Sequence, residues 1–459
     1  MAEPETTETV VALTETMTPG NLWPWTPAQT AWAFYECARN QFYVFVNIYI
    51  FSAYFTKVVI ADPVKGQVLW GYTLTMAAAL IAVLAPVCGA LADAGGRRKP
   101  WIFGCLVLAI PSTALLCLVK PHMVSGIAWV MAALIFANCG YELTSVFFNA
   151  LLPRVAPKSR FGSVSGLAYA IANLACLVLF IVYLIIAHSA TGILPEGKYY
   201  EERALTLFVA LWWVAFSLPL FLVVPDVEGT GKRAATIIRT GLSSLYHSIG
   251  TLRQHPAVAD FLLARMVFNE GFIVLMMFQG VLAGGVLGWT AVQLSVMGLA
   301  LSVAAVAGSF IGGWCDDHIG SRATLRLCIY GLIIGNIMLV FISPSSVMLI
   351  HVNPTPIGGG MFPRAADRAF FLVFALIAFA VTGGLVSSRA MLARLSPKDM
   401  LNEMFGLYSL SGTATSFMGP LAIAILTGIS GNQQTGIAAG LIFLVGGLLL
   451  LHRVKQDDA

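Results

Sequence analysis

Charge is what this chain has least of. Only 10% of its 459 residues are Asp, Glu, Lys or Arg, against about 25% in a soluble domain, so an ordinary water-facing surface is excluded. Paired metal-ligand cysteines are missing too. The eight cysteines form no CxxC and fall within or beside apolar runs, as small packing residues do. The seven histidines lie in or next to polar connections, which disfavours an intramembrane haem or zinc site, and no cofactor is expected. Without a GxxxxGK[ST] phosphate loop, a nucleotide-driven pump is disfavoured. Without a nucleophile–base cluster at membrane depth, an enzyme is not expected. The strand alternation of a membrane barrel is absent, and nothing suggests a nucleic-acid partner. The N-terminal MAEPETTETVVALTETMTPG is acidic and Thr-rich, lacks the basic start of a cleavable signal, and is expected to be a disordered tail.

What remains is long apolar sequence: 58% of residues are hydrophobic and the mean hydropathy is +0.83. A helical span needs ~20 apolar residues. Runs of that kind lie at roughly 30–57, 68–92, 101–120, 124–151, 163–187, 203–224, 257–284, 291–314, 324–342, 368–393, 408–429 and 435–451. The pattern predicts an all-α membrane protein of twelve transmembrane helices. It would be organised as a tail (1–28), a first six-helix bundle (29–224), a linker (225–256), a second bundle (257–451) and a short tail (452–459). An even number of spans puts both termini on one side. The connections and tail on that side hold 16 of the 26 Lys and Arg residues, the opposite set holds 7, and Arg39, Arg265 and Arg389 lie inside spans. By the positive-inside rule both termini are cytoplasmic, in a cell inner (plasma) membrane. The linker's Lys232, Arg233, Arg239 and Arg253 fit either an amphipathic helix on the inner leaflet or a flexible tether.

The densest charge of the first half, GALADAGGRRKPW (Gly89 to Trp101), has a reduced copy in GGWCDDHIGSR. Gly89 and Gly313, Asp93 and Asp317, and Gly96 and Gly320 are each 224 residues apart. A second echo pairs Ala150 with Ala390 and Pro157 with Pro397, each 240 apart. Two matches at equivalent places indicate two related, pseudo-symmetric halves, and such repeats place a substrate site between them.

GALADAGGRRK resembles the loop motif of the major facilitator superfamily: a glycine, an acid four residues on, a glycine three further, then bases. More narrowly, WAFYECARNQFYVFVNIYIFSAYF, FLLARMVFNEGF and FGLYSLSGTATSFMGP resemble segments of the vacuole amino-acid effluxer-like family. The first span departs from that family's commoner aromatic-Asp-Trp-Ala-Asn run by reading YECARNQ; Glu36 keeps the acid and Arg39 adds a positive charge. The resemblance implies the facilitator fold and secondary transport of a small molecule, with amino acids a plausible substrate. It also implies a gating role for Gly89, Asp93, Gly96, Arg97 and Arg98, and for Asp317, Gly320 and Arg322. In it, Asp93 would close the cytoplasmic side against span eleven and Asp317 would meet span five.

Ionisable groups inside a bilayer cost at least ~2.5–3.5 kcal/mol each, so those present need a reason. Glu36, Asn40, Tyr43 and Asn47 fall on one helical stripe flanked by Arg39, and Asn138, Glu142, Ser145 and Asn149 repeat the spacing in the fourth span. The seventh span carries Arg265, Asn269 and Glu270. In facilitators, spans one, four, seven and ten line the central cavity, so the resemblance places these residues there. The functional expectation is a mixed-charge site in which arginine clamps a carboxylate and a glutamate holds an amine or carries a coupling proton. The competing expectation is that Glu36–Arg39 and Arg265–Glu270 neutralise one another or partner neighbouring helices. Arg389, near the cytoplasmic end of its span, is expected to gate or pack. Ser409, Thr413 and Ser416 share a face but can bond their own helix. The chain is therefore expected to be a monomeric secondary transporter, with a ligand-binding receptor or a facilitator for sugars, organic acids or drugs as alternatives.

Overall fold

The computed structural model describes residues 25–94, 97–123, 125–157, 161–189, 199–226, 250, 252–353, 360–397 and 400–454; the side chains of 90–94, 161–163, 187–189 and 401–403 are not among what it describes. The expected N-terminal tail, most of the linker with its amphipathic stretch, and Gly96 lie outside the described residues. Helices dominate: α1 (Pro27–Val59), α2 (Pro63–Ala94), α3 (Lys99–Leu118), α4 (Ile127–Asn149), α5 (Phe161–Ser189) and α6 (Tyr200–Val223) form the first half. The second holds α7 (Pro256–Met277 with Gln279–Val286), α8 (Ala291–Ile319), α9 (Ser321–Val340), α10 (Ala365–Leu395), α11 (Leu401–Thr413 with Met418–Ser430) and α12 (Gln433–Arg453). Eleven are long and apolar enough to cross a membrane, and α7, bent by 47° at Phe278, makes the twelfth when its two pieces count as one span.

Local chemistry sets many of the ends. Thr26 and Thr290 build capping boxes with Gln29 and Gln293 at the starts of α1 and α8. Prolines open α1, α2 and α7, where a missing N–H costs nothing. One departure from an all-helical chain is a three-stranded antiparallel sheet of two-residue strands at 342–351, between α9 and α10.

The halves repeat one packing scheme. In the first, α1 packs on α5 and α6, α4 on α2 and α3, and α3 on α6; in the second, α7 packs on α11 and α12, α10 on α8 and α9, and α9 on α12. Between the halves, α2 meets α11, α5 meets α8, and α1 meets the bent end of α7. Burial follows this plan: the most apolar windows of α1 and α4 are 83% and 67% buried, whereas those of α5 and α11 are 28% buried.

The contacts between halves concentrate on the side away from the basic loops. There the Gln67 amide donates to Thr427 Oγ1 (2.7 Å) and the Gln433 carbonyl (3.0 Å), and Gln433 donates back to Gln67 Oε1 (3.1 Å). Lys57 Nζ bonds the Gly288 carbonyl at 2.8 Å. A Cβ on Gly71 would come within 2.9 Å of Ala424, so only glycine permits that α2–α11 approach. On the basic side the same helices diverge. A Cβ added to Gly89 of α2, Gly166 of α5 or Gly406 of α11 would meet no other helix within 4 Å among the described residues, and Val83 of α2 is 70% exposed. Among the described residues, the far side is closed by these contacts and the basic side is not.

Candidate functional site

Beneath the seal, between the two halves, lies a cavity of about 470 Å³. It is lined by Tyr43 of α1, Leu74 and Ile81 of α2, Asn138 and Glu142 of α4, Arg265 and Asn269 of α7, Arg389 of α10, and Tyr408, Ser409, Thr413 and Ser416 of α11. Both halves therefore contribute an acid or a base to one space.

The stripe expected on α1 is not one stripe in space. Residues 42–49 are π-helical, with i→i+5 bonding that turns the chain by more residues per turn than the α-spacing assumes. Tyr43 faces the cavity and stacks on Tyr141 at 5.7 Å. Asn47 is buried against Asn138, bonded at 2.8 Å and 3.3 Å. Asn40 is half-buried and outside the lining.

Glu36 and Arg39 satisfy each other. The guanidinium donates to both carboxylate oxygens, at 2.8 Å and 3.2 Å, then to the Tyr141 carbonyl at 3.2 Å and to Ser145 Oγ, and lies 4.5 Å from the Tyr141 ring centre. This fork joins α1 to α4 outside the cavity lining. Arginine's planar donors suit such a many-sided contact.

Arg265 and Glu270 are likewise engaged, with the two ends of a break in α11. That helix stops at Thr413 and resumes at Met418. Arg265 donates to the Tyr408 carbonyl and Ser411 Oγ, both at 2.8 Å, and lies 3.5 Å from the Tyr408 ring centre. Glu270, 1% exposed, accepts the Gly419 N–H at 2.9 Å. A cation thus sits at the carbonyl end of the first piece and an anion at the amide end of the second, each matched to the local helix dipole. The two side chains do not pair with each other.

Two charged groups lining the cavity, Glu142 and Arg389, and the amide of Asn269 make no hydrogen bond or ion pair among the described residues. Glu142 belongs to the first half and Arg389 to the second. Thr413 and Ser416 bond their own backbone (Leu410 O at 3.2 Å, Thr413 O at 2.9 Å) while bordering the cavity.

In the first loop motif Arg97 is exposed. The backbone N–H groups of Arg98 and Lys99 point at the Asp226 carboxylate, at 2.9 Å and 3.3 Å, so an acid just beyond α6, at the start of the linker, caps the start of α3. Asp93's side chain lies outside what is described. In the copy, the acid that pairs is Asp316, 2.8 Å from Arg394, whereas Asp317 is 79% exposed and 3.9 Å from the same arginine rather than on α5. Gly320 carries a φ of +85° as α8 turns into α9, a conformation that suits glycine. Arg322 bonds the His452 carbonyl at 2.7 Å, at the end of α12. Sequence reasoning missed Asp226, Asp316, Lys57 and the Gln67–Thr427–Gln433 cluster. Their partners lie tens to hundreds of residues away, with no local spacing to reveal them.

A family model described as vacuole effluxer Atg22 like matches residues 64–459. The chain belongs to that family. The uncharacterized MFS-type transporter YxiO of Bacillus subtilis is 24% identical over 441 residues, covering 95% of this chain and 96% of YxiO. Autophagy-related protein 22 of Kluyveromyces lactis is 23% identical over 349 residues, covering 70% of this chain and 66% of the relative. Among solved structures, a D-xylose-proton symporter superposes with a TM-score of 0.65 at 14% identity, covering 94% of this chain and 97% of the symporter. This Atg22-like chain is thus a multi-pass membrane transporter with the major facilitator fold.

Proposed function

We propose that the protein is a secondary transporter that moves a small zwitterionic, amino acid-like solute by alternating access. The observation that carries this is the pair of unpartnered charges, Glu142 and Arg389, facing one cavity from opposite halves. A solute carrying an amine and a carboxylate satisfies both: the amine donates to Glu142 and the carboxylate takes the two parallel N–H groups of Arg389. Asn269 supplies a neutral donor and acceptor beside them. Arg39, Arg265, Glu36 and Glu270 then serve as positioning residues around this pair.

The two halves, 29–224 and 257–451, rock about this site. The basic side is cytoplasmic by the positive-inside rule, so the conformation described is inward-open, in a cell inner membrane. Glu142 or Glu270 is the candidate for a coupling proton, Glu142 because it faces the cavity and Glu270 because its Oε1 is buried without a partner.

A thermal-unfolding screen of purified protein against amino acids, peptides, sugars and organic acids tests the substrate class, because a bound ligand raises stability by mass action. A zwitterion that stabilises the wild type but neither Glu142→Gln nor Arg389→Gln supports the reading. A sugar that binds equally to all three overturns it. Uptake into proteoliposomes separates transport from binding, and uptake indifferent to an imposed pH gradient overturns proton coupling.

A further inference from the structure

A second cavity, of about 670 Å³, lies away from the transport pathway. It exists because the pseudo-symmetry fails at one place. In the second half α11 and α12 pack together, but α5 and α6 each pack along α1 and make no extended contact with one another. The gap between them is walled by Leu179, Val182 and Ile186 of α5 and Phe208 and Val209 of α6, and floored by Phe45 of α1. Val182, Ile186 and Phe208 are themselves exposed, so the crevice faces the hydrocarbon of the bilayer.

Its charged groups lie at one end. Tyr200, Glu201 and Arg203 stand at the first turn of α6, on the side away from the basic loops, with Tyr199 and Tyr200 exposed as residues at a headgroup boundary are. Arg203 is fixed there: its Nε donates to the Cys117 carbonyl at 3.0 Å, and among the described residues the outer nitrogens of the guanidinium make no hydrogen bond. Deeper in, Tyr183 lines the crevice and its buried phenol oxygen has no hydrogen-bond partner among the described residues.

The geometry points to a structural lipid site: one acyl chain of a phosphoethanolamine lipid from that leaflet occupies the crevice, with its phosphate on Arg203 and its ammonium on Glu201. The volume falls within the ~300–1,000 Å³ of small-molecule pockets, and the apolar walls exclude a polar solute. An acid and a base that both border the mouth match a headgroup carrying both signs. The N–H donors of a primary ammonium fit the carboxylate in a way that a quaternary choline cannot.

Native mass spectrometry and thermal unfolding of the full-length protein, delipidated and titrated with phosphatidylethanolamine, phosphatidylcholine or phosphatidylglycerol, test this. Phosphatidylethanolamine is expected to remain bound and raise the unfolding midpoint, with the other two about tenfold weaker, a difference of about 1.4 kcal/mol. Arg203→Gln and Glu201→Gln should each bring its retention down to that level. Leu179→Trp, which fills the crevice with an apolar side chain, should remove it while leaving helical content unchanged. Equal retention of the three lipids, or wild-type retention in both Arg203→Gln and Leu179→Trp, identifies ordinary annular lipid and overturns the assignment.

Discussion

The carboxylate of Glu270 and the backbone N–H of Gly419 meet at 2.9 Å where α11 is interrupted. One acid on α7 therefore supplies the acceptor that the restarted helix lacks, and Arg265, five residues earlier, supplies donors to the piece that stops. Removing the acceptor strands a buried amide. Glu270→Ala should lower unfolding free energy by about 1–3 kcal/mol, read as a drop in the thermal midpoint. Glu270→Gln, which keeps a carbonyl acceptor, should lose less.

Arg265 should not be replaceable by lysine. An ammonium cannot hold the Tyr408 carbonyl and Ser411 hydroxyl from one plane while stacking on the Tyr408 ring. Arg265→Lys is expected to cut uptake at least tenfold with helical content retained. Wild-type uptake would show that the first piece of α11 does not depend on this clamp.

Glu142 and Arg389 should behave oppositely to these clamps. Neither makes a hydrogen bond or close ion pair among the described residues, so Glu142→Gln and Arg389→Gln should leave ligand-free stability within about 0.5 kcal/mol. The same changes should weaken substrate binding by roughly 10–100-fold, the scale of a charge-assisted hydrogen bond. Calorimetric titration checks the second and thermal unfolding the first.

The far-side seal is held by neutral amides and a close α2–α11 approach. Gly71→Leu wedges a side chain against Ala424 and Pro420. It should shift the population towards a state open on the far side, seen as faster maleimide labelling of an introduced Gln67→Cys. Unchanged labelling would mean that the α2–α11 contact does not hold the seal.

Asp226→Ala should cost about 1 kcal/mol of stability through the lost cap on α3, with substrate binding unchanged. The measurement is again thermal unfolding beside calorimetric titration.

Much of the fold could be read from composition and repeats, because bilayer burial writes itself as long uninterrupted apolar runs. The site could be read as a set of charged residues with two competing roles, and the pairing expectation is the one met by Glu36–Arg39 and by Arg265 and Glu270 on the neighbouring α11. Which charges are used up depends on Ser145, Tyr408, Ser411 and Gly419, whose relation to Arg39, Arg265 and Glu270 arises only once helices pack. The π-helical turn at 42–49 was invisible for another reason: its residues are as apolar as any α-helical run, and only backbone bonding distinguishes them. Arg389 looked peripheral by depth along α10, yet the open basic side brings it into the cavity wall.

The self-satisfied arrangement around Glu36–Arg39, and the equal and opposite charges of Arg265 and Glu270, leave Glu142 and Arg389 to make a cavity of net zero charge. A charge crossing the full membrane field at 100 mV gains or loses about 2.3 kcal/mol. An empty carrier with a neutral cavity, and one loaded with a zwitterion, should both reorient almost without feeling that field. Any current recorded during transport would then belong to the coupling ion alone, and membrane voltage would act on this protein only through it.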